Sequence, residues 1–375
     1  MTLATAPATD SCFRRLSPPR DAQTPYAVTV VLQTAGRPSL LRAVRSVLQQ
    51  DLAERLQLLI GVDTPFDTAE LEVLVTARCP PRVDVSLFYP GYSTSRRHGG
   101  LSPNFYGGAL RTILSYTANS PYVAYLDDDD WWGANHLATL LQAVAGKAWA
   151  FSRRWLVDEE SGWPICPDEW DSVGPGKGIN AERFGGFVSP SNLLISREAF
   201  HLFFPLWSLA AFDDGSGEDR LVFNELRQLP WADSETLSCF YSLRPAQQQD
   251  IHHRREFEHR GLLWPLQRDL IGEMTAQEAT ARRAAAAGAW TEVRQQAQAL
   301  LARAPHHAGA LGLLAEAEWQ AGRREEGIDL LCQSLAIDDR EPAPYLLLAE
   351  HLQALGAAAE AAHIQDLVAR RFNGG

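Results

Sequence analysis

Lysine is nearly missing from this chain: Lys147 and Lys177 are the only two in 375 residues. Acidic residues outnumber basic ones, 46 to 34, for a formal charge of −12. A surface of that sign repels phosphate backbones, so no nucleic-acid partner is expected. Cysteine is sparse. Cys12, Cys79, Cys166, Cys239 and Cys332 are scattered, odd in number and never in a C-x-x-C pair. Neither a zinc knuckle nor a disulfide framework is predicted, and a reducing, cytoplasmic setting fits. Long apolar runs are absent. The stretch around Phe200 to Phe212 is broken by His201 and Ser208 and is too short to span a bilayer. Residues 1–24, rich in Ala, Thr and Pro, lack a signal peptide's apolar core and read as a loose leader.

What the chain does hold is 46% apolar residues, enough for a sizeable core and two domains. Residues 26–32, YAVTVVL, predict a buried strand. A turn-rich stretch, Gln33–Ser39, follows, and then Leu40, Leu41, Val44, Val47 and Leu48 keep helical spacing. Leu56–Val62 predicts a second strand stopping at Asp63, and Ala69–Ala77 a helix. Val83–Phe88 predicts a third strand, Ala109–Tyr116 a helix and Tyr122–Leu126 a fourth strand. Such alternation predicts a mixed, mostly parallel, Rossmann-like α/β sheet with helices on both faces. Ligands of such sheets bind beyond the carboxyl ends of the strands. Thr34–Arg37, Asp63 and Asp127–Asp130 all fall at predicted strand ends, hence on one edge. Residues 151–186 break the rhythm with Gly174, Gly176, Gly178, Gly185 and Gly186 among charged and aromatic residues, and read either as a mobile functional loop or as a plain surface connection.

From about residue 277 the composition turns to Ala, Leu, Arg, Glu and Gln with helical periodicity. Gly288, Gly322 and Gly356 recur every 34 residues, as do Ala281, Ala315 and Ala349, and Leu301 and Leu335. Small residues let paired helices approach, and glycine permits the turn between them. The pattern resembles a tetratricopeptide array of two and a half to three helical hairpins over residues 277–375, with residues 263–276 as a linker. The alternative is a generic helical bundle.

The densest chemistry lies in AYLDDDDWW, residues 124–132. A magnesium- or manganese-type ion takes hard oxygens, with one or two carboxylates besides water and phosphate. Extended backbone points alternate residues the same way, so Asp127 and Asp129 are predicted to share one side, and Asp128 and Asp130 the other. The plainer alternative is an acidic N-cap, Asp130 foremost, ahead of a helix over Trp131–Val144.

The segments TAGRPSLLRAVRSVLQQ, GVDTPFDTAEL, YLDDDDWWGANHLATLL, SNLLISREAF and GSGEDRLVFNEL occur in that order. Together they resemble the successive motifs of family-two glycosyltransferases with the GT-A fold, over about residues 26–260 of an expected domain at 25–262. The resemblance implies that Thr34 and Arg37 line a nucleotide pocket and that Asp63 bonds the base. It implies that Asp127 and Asp129 are the D-x-D pair, with Asp129 the main ligand of a Mn²⁺ or Mg²⁺ ion. Asp127 and Asp128 then lie beside the donor. Glu218 and Asp219 match the E-D motif, Asp219 as general base. His252 is a candidate late metal ligand, with His253 as its alternative. Plainer roles stay open: Asp63 as a turn residue, Arg37 as a solvated charge, Asp219 as a helix cap. The usual Tyr-Asn-Arg after the first strand is Thr34-Ala35-Gly36-Arg37 here, and Asp-Gly-Ser after the second is Asp63-Thr64-Pro65.

The expectation is a metal-dependent, inverting glycosyltransferase that uses a nucleotide-sugar, a UDP-sugar first, and a peptide or protein acceptor recruited by the repeats. Alternatives are transfer to a surface or lipid-linked glycan with the repeats used for homodimerisation or docking, a non-catalytic scaffold, and a nucleotidyltransferase.

Overall fold

The structure, a computed structural model, describes residues 12–18 and 24–372. The chain divides into two compact units. The first holds the chain up to Arg154 together with Asp168–Cys239, and the second holds Trp155–Pro167 together with the chain from Phe240 onward.

The strands are β1 Phe13–Arg15, β2 Val28–Thr34, β3 Leu56–Val62, β4 Val83–Phe88, β5 Tyr122–Asp127 and β6 Trp131–Trp132. They continue with β7 Trp149–Asp158, β8 Pro164–Pro167, β9 Gly174–Pro175, β10 Gly186–Phe187, β11 Leu193–Ser196 and β12 Trp231–Leu243. The main sheet runs β1-β4-β3-β2-β5-β11-β7-β12-β6, with β8 on β7. Four adjacent strands, β4, β3, β2 and β5, are parallel, while β1 and β11 pair antiparallel at their two ends. The chain lays β3 and β4 on one side of β2 and then crosses to put β5 on the other. The reversal of strand order therefore lies between β2 and β5, where open α/β sheets form their crevice. Register puts Gln33 opposite Asp127 and Thr34 opposite Val62, so the ends of β2, β3 and β5 are level.

Alternation along the strands separates two cores. Val28, Val30 and Leu32 pack under α1 Leu40–Leu48, α2 Ala69–Arg78 and α4 His136–Ala143. Val31, Leu59, Val123 and Tyr125 face the opposite way, toward α3 Gly108–Thr117 and, beyond the one-turn α5 Ala181–Phe184 and α6 Arg197–Phe200, α7 Glu218–Leu226. Both sheet faces are covered, which is why these strands read as unbroken apolar runs rather than alternating ones.

Three expectations need correction here. Phe13–Arg15, inside the supposed leader, is a strand paired with β4; residues 1–11 and 19–23 lie outside the described residues. Trp131 and Trp132 form β6, and the helix starts only at His136 with Asn135 at its N-cap, so Asp130 is not its cap. The glycine-rich connection is anchored: the buried Arg154 donates to Asp168 and Asp171, each at 2.7 Å, and β9 pairs β10.

The second unit opens with the hairpin of β7 and β8, followed later in the chain by α8 Pro245–Gln248 and α9 Ile251–His259. Six further helices follow: α10 Arg268–Ala286, α11 Trp290–Leu301, α12 Ala308–Gln320, α13 Arg324–Ile337, α14 Pro342–Ala354 and α15 Ala358–Phe372. Residues 268–276, expected as linker, are the first turns of α10. The 34-residue ladder now has a cause. Gly288, Gly322 and Gly356 sit just past α10, α12 and α14 with φ of +71°, +83° and +83°. Each donates its N–H back into the last helical turn, and the next residue donates five back, as Ala289 does to Ala284, Arg323 to Glu318 and Ala357 to Leu352. These are three copies of one Schellman stop. Ala281, Ala315 and Ala349 are buried at equivalent helix positions. Among the described residues, no helix is long and apolar enough to cross a membrane.

Candidate active site

The acidic run leaves β5 as a turn rather than as extended strand. Asp130 donates its N–H to the Asp127 carbonyl at 3.2 Å, so the predicted alternation fails beyond Asp127. The four differ in burial. Asp128 and Asp130 are buried, and each accepts a side-chain hydroxyl. Thr34, at the end of β2, donates its hydroxyl to Asp128 Oδ2 at 2.6 Å. Ser191 donates to Asp130 Oδ2 at 2.6 Å and accepts the Asp127 N–H at 3.1 Å. Asp127 and Asp129 keep 26% and 21% of their side-chain surface exposed.

Arginines answer these charges. Arg37 pairs with Asp129 and lies 3.6 Å from Asp128 Oδ1. Arg42 donates to the Asp129 carbonyl at 2.8 Å while its guanidinium lies over Trp131. Arg111, on α3, is only 2% exposed. It donates through Nε to Gln33 at 3.0 Å and through Nη2 to Asp127, and its Nη1 lies 3.8 Å from Glu218. Sequence reasoning missed Arg111, Gln33 and Ser191. The one available signal for Arg111 was a lone cation between Leu110 and Leu114 on an otherwise apolar helix face.

Glu218 and Asp219 open α7 behind Gly217, which has φ +89° and holds the N-cap position. Glu218 is buried, and Asp219 accepts the Arg220 N–H at 2.7 Å. Burial and the neighbouring Asp219 push the Glu218 carboxyl up to about 7 against the pull of Arg111. Burial likewise raises Asp219, which also feels Asp127. Burial takes Asp128 up to about 6, despite Thr34 and Arg37. Asp129 is raised by burial and by repulsion from Asp127. The E-D pair and the acidic turn are therefore parts of one electrostatic cluster.

Asp63 reaches the predicted edge but is spent there. Ser93 donates to its Oδ2 at 2.8 Å, and the Thr94 N–H and hydroxyl both donate to Oδ1 at 2.9 Å. It organises the loop that leads to α3. His252 lies on α9, in the second unit, its N–H donated to Asp250 at 2.9 Å. His253, on the same helix, stacks with Phe257.

Among the described residues, no group of three or more His, Cys, Asp or Glu could hold a metal ion by itself. Asp127 and Asp129 do fit the lesser demand of a magnesium- or manganese-type ion, which needs one or two carboxylates when water and phosphate complete its shell. The arrangement is thus two arginine-paired carboxylates, Asp127 and Asp129, linked through Arg111 to a second carboxyl pair, Glu218 and Asp219.

No family model matches the chain, and no curated protein matches it. Among solved structures, it is similar to S. aureus TarS 1-349, at 11% identity over 89% of this chain and 88% of that one, TM-score 0.41. The same protein in complex with UDP-GlcNAc gives 12% identity over 93% and 92%, TM-score 0.42. The Yersinia enterocolitica type III secretion chaperone SycD, in complex with a peptide of the translocator YopD, covers 27% of this chain and 77% of its own. It is 19% identical with TM-score 0.26. Likeness at this level assigns neither family nor activity.

Proposed function

We propose that the first unit is a glycosyltransferase that takes a sugar from a nucleotide-sugar, a UDP-sugar first, to an acceptor hydroxyl or thiol. The observation that carries this reading is the cluster at the β2/β5 reversal. There, Asp127 and Asp129 are partly exposed, and Arg111 lies between Asp127 and the Glu218–Asp219 pair. A divalent cation would be held by Asp127 and Asp129, and when bound it supplies Lewis-acid neutralisation of the departing diphosphate. Thr34 and Arg37 hold the acidic turn in place from the end of β2. Asp219, with a carboxyl raised by burial, takes the acceptor's proton, and attack on the face opposite the leaving group inverts the anomeric centre. The ladder of helical hairpins reads as a tetratricopeptide-type array that recruits a peptide or protein acceptor. The test is calorimetric titration of UDP with manganese. Wild type should bind, and Asp129→Ala should lose the manganese-dependent part of the affinity, about 10-fold or more. Equal binding by both chains would remove Asp129 as the cation's ligand, and no binding by wild type would remove the transferase reading.

A further inference from the structure

We propose that Arg111 is a positioning residue that ties Asp127 to the Glu218–Asp219 pair, so that two motifs over 90 residues apart in the chain work as one site. The inference rests on the transferase reading above and adds to it a residue that no motif named. Its grounds are geometric. Arg111 is almost fully buried, and a guanidinium is retained in such a place only when its fork is matched. Two of its nitrogens are matched, by Gln33 and Asp127. Nη1 has no hydrogen-bond partner among the described residues and lies 3.8 Å from Glu218 Oε1, a short approach away from a direct bond. The guanidinium also stacks over Trp207, 4.6 Å from the ring centroid.

The helix that carries it is built for this placement. A Cβ on Gly108 would lie 1.8 Å from the Trp207 carbonyl oxygen, so only glycine lets the start of α3 come this close. Asn104 accepts the Gly108 N–H at 2.9 Å and fixes the same turn from the other side. Gln33 completes the brace by donating Nε2 to Asp127 Oδ1 at 2.9 Å, so one amide holds both Arg111 and its partner. A fixed distance between cation-holding and proton-accepting carboxylates matters because displacement by about 1 Å costs on the order of 100-fold in rate.

The test compares wild type, Arg111→Met, Arg111→Lys and Gln33→Met by UDP titration with manganese. It adds hydrolysis of whichever of UDP-glucose, UDP-galactose and UDP-N-acetylglucosamine wild type turns over. Arg111→Met should weaken UDP about 10-fold, with stoichiometry still about one per chain, and cut kcat about 100-fold. Arg111→Lys, which keeps the charge but not the fork, should restore UDP affinity and leave kcat low. Gln33→Met should show the Arg111→Met pattern more weakly, about 10-fold in kcat, and decides the matter if the Arg111 variants do not fold. Unchanged affinity and kcat, or a loss of binding stoichiometry alone, overturns the inference while leaving the transferase reading intact. A wild-type chain that binds no UDP overturns both.

Discussion

Burial holds the Glu218 carboxyl at about 7 against an ordinary value of 4.5, with Asp219 adding repulsion. Between those two values the folded chain keeps a proton that the unfolded chain has released, so this group's contribution to stability falls as pH rises through the interval. Glu218→Gln removes that dependence. The melting temperature of the variant relative to wild type should therefore rise from about pH 5 to about pH 8, read by calorimetry at each pH. A constant difference would mean that Glu218 ionises at its ordinary value. Residues of this kind are only half legible in sequence. Glu218, Asp219 and the four aspartates announce themselves by clustering. Arg111 does not, because a lone arginine on an apolar helix face is also what a side chain reaching back to solvent looks like. Asp63 shows the opposite difficulty. Its place at a strand end was right, but only the fold reveals that Ser93, Thr94 and Ser95 already occupy its oxygens.

At the scale of elements, glycines in this chain do two different jobs. Gly322 needs its left-handed φ of +83°, and a Cβ placed on it would meet nothing within 4 Å. Gly322→Ala should therefore cost only the backbone term, about 1–2 kcal/mol in a urea titration. Gly108 has no such φ, but a Cβ on it would lie 1.8 Å from the Trp207 carbonyl oxygen. Gly108→Ala should therefore cost at least the upper end of the roughly 1–3 kcal/mol of overpacking, and should impair UDP binding because α3 carries Arg111. If Gly322→Ala proved the more damaging, close approach would not be what fixes α3. The parallel strands and their helices were legible because both sheet faces are buried, which writes long apolar runs into β2, β3 and β5. The later antiparallel part was not. β7 carries Arg153 and Arg154 among tryptophans, and β6 is two residues long, so neither has a periodicity to read. The Asp168 and Asp171 that turn a glycine-rich stretch into an anchored one are recognisable only once Arg154 is seen between them.

At the scale of the molecule, the division of the chain does not follow the boundary expected near residue 262. The hairpin Trp155–Pro167 lies within the sequence of the first unit but belongs to the second. Trp155 packs on His306 and Trp163 on His307, with ring centroids 5.0 and 4.3 Å apart. Asp158, fully buried, takes Gln248 and Arg268 at 2.6 Å each. Burial pushes its carboxyl up, yet the bonds from Arg268, Gln248 and Ser161 hold it below the ordinary value. A chain ending at residue 262 would strip Arg268 and both histidines away, leaving two tryptophans and a carboxylate uncovered. It should elute as aggregate in size-exclusion chromatography, and a monodisperse fragment would show that the hairpin stands without the helices. The same insertion sets a schedule during synthesis. Asp158 leaves the ribosome 110 residues before the arginine that neutralises it, a wait of roughly 5–20 s at ordinary elongation rates. For that time the nascent chain carries an apolar hairpin awaiting its cover, so this protein's yield in a cell should depend on what shields that hairpin while translation catches up.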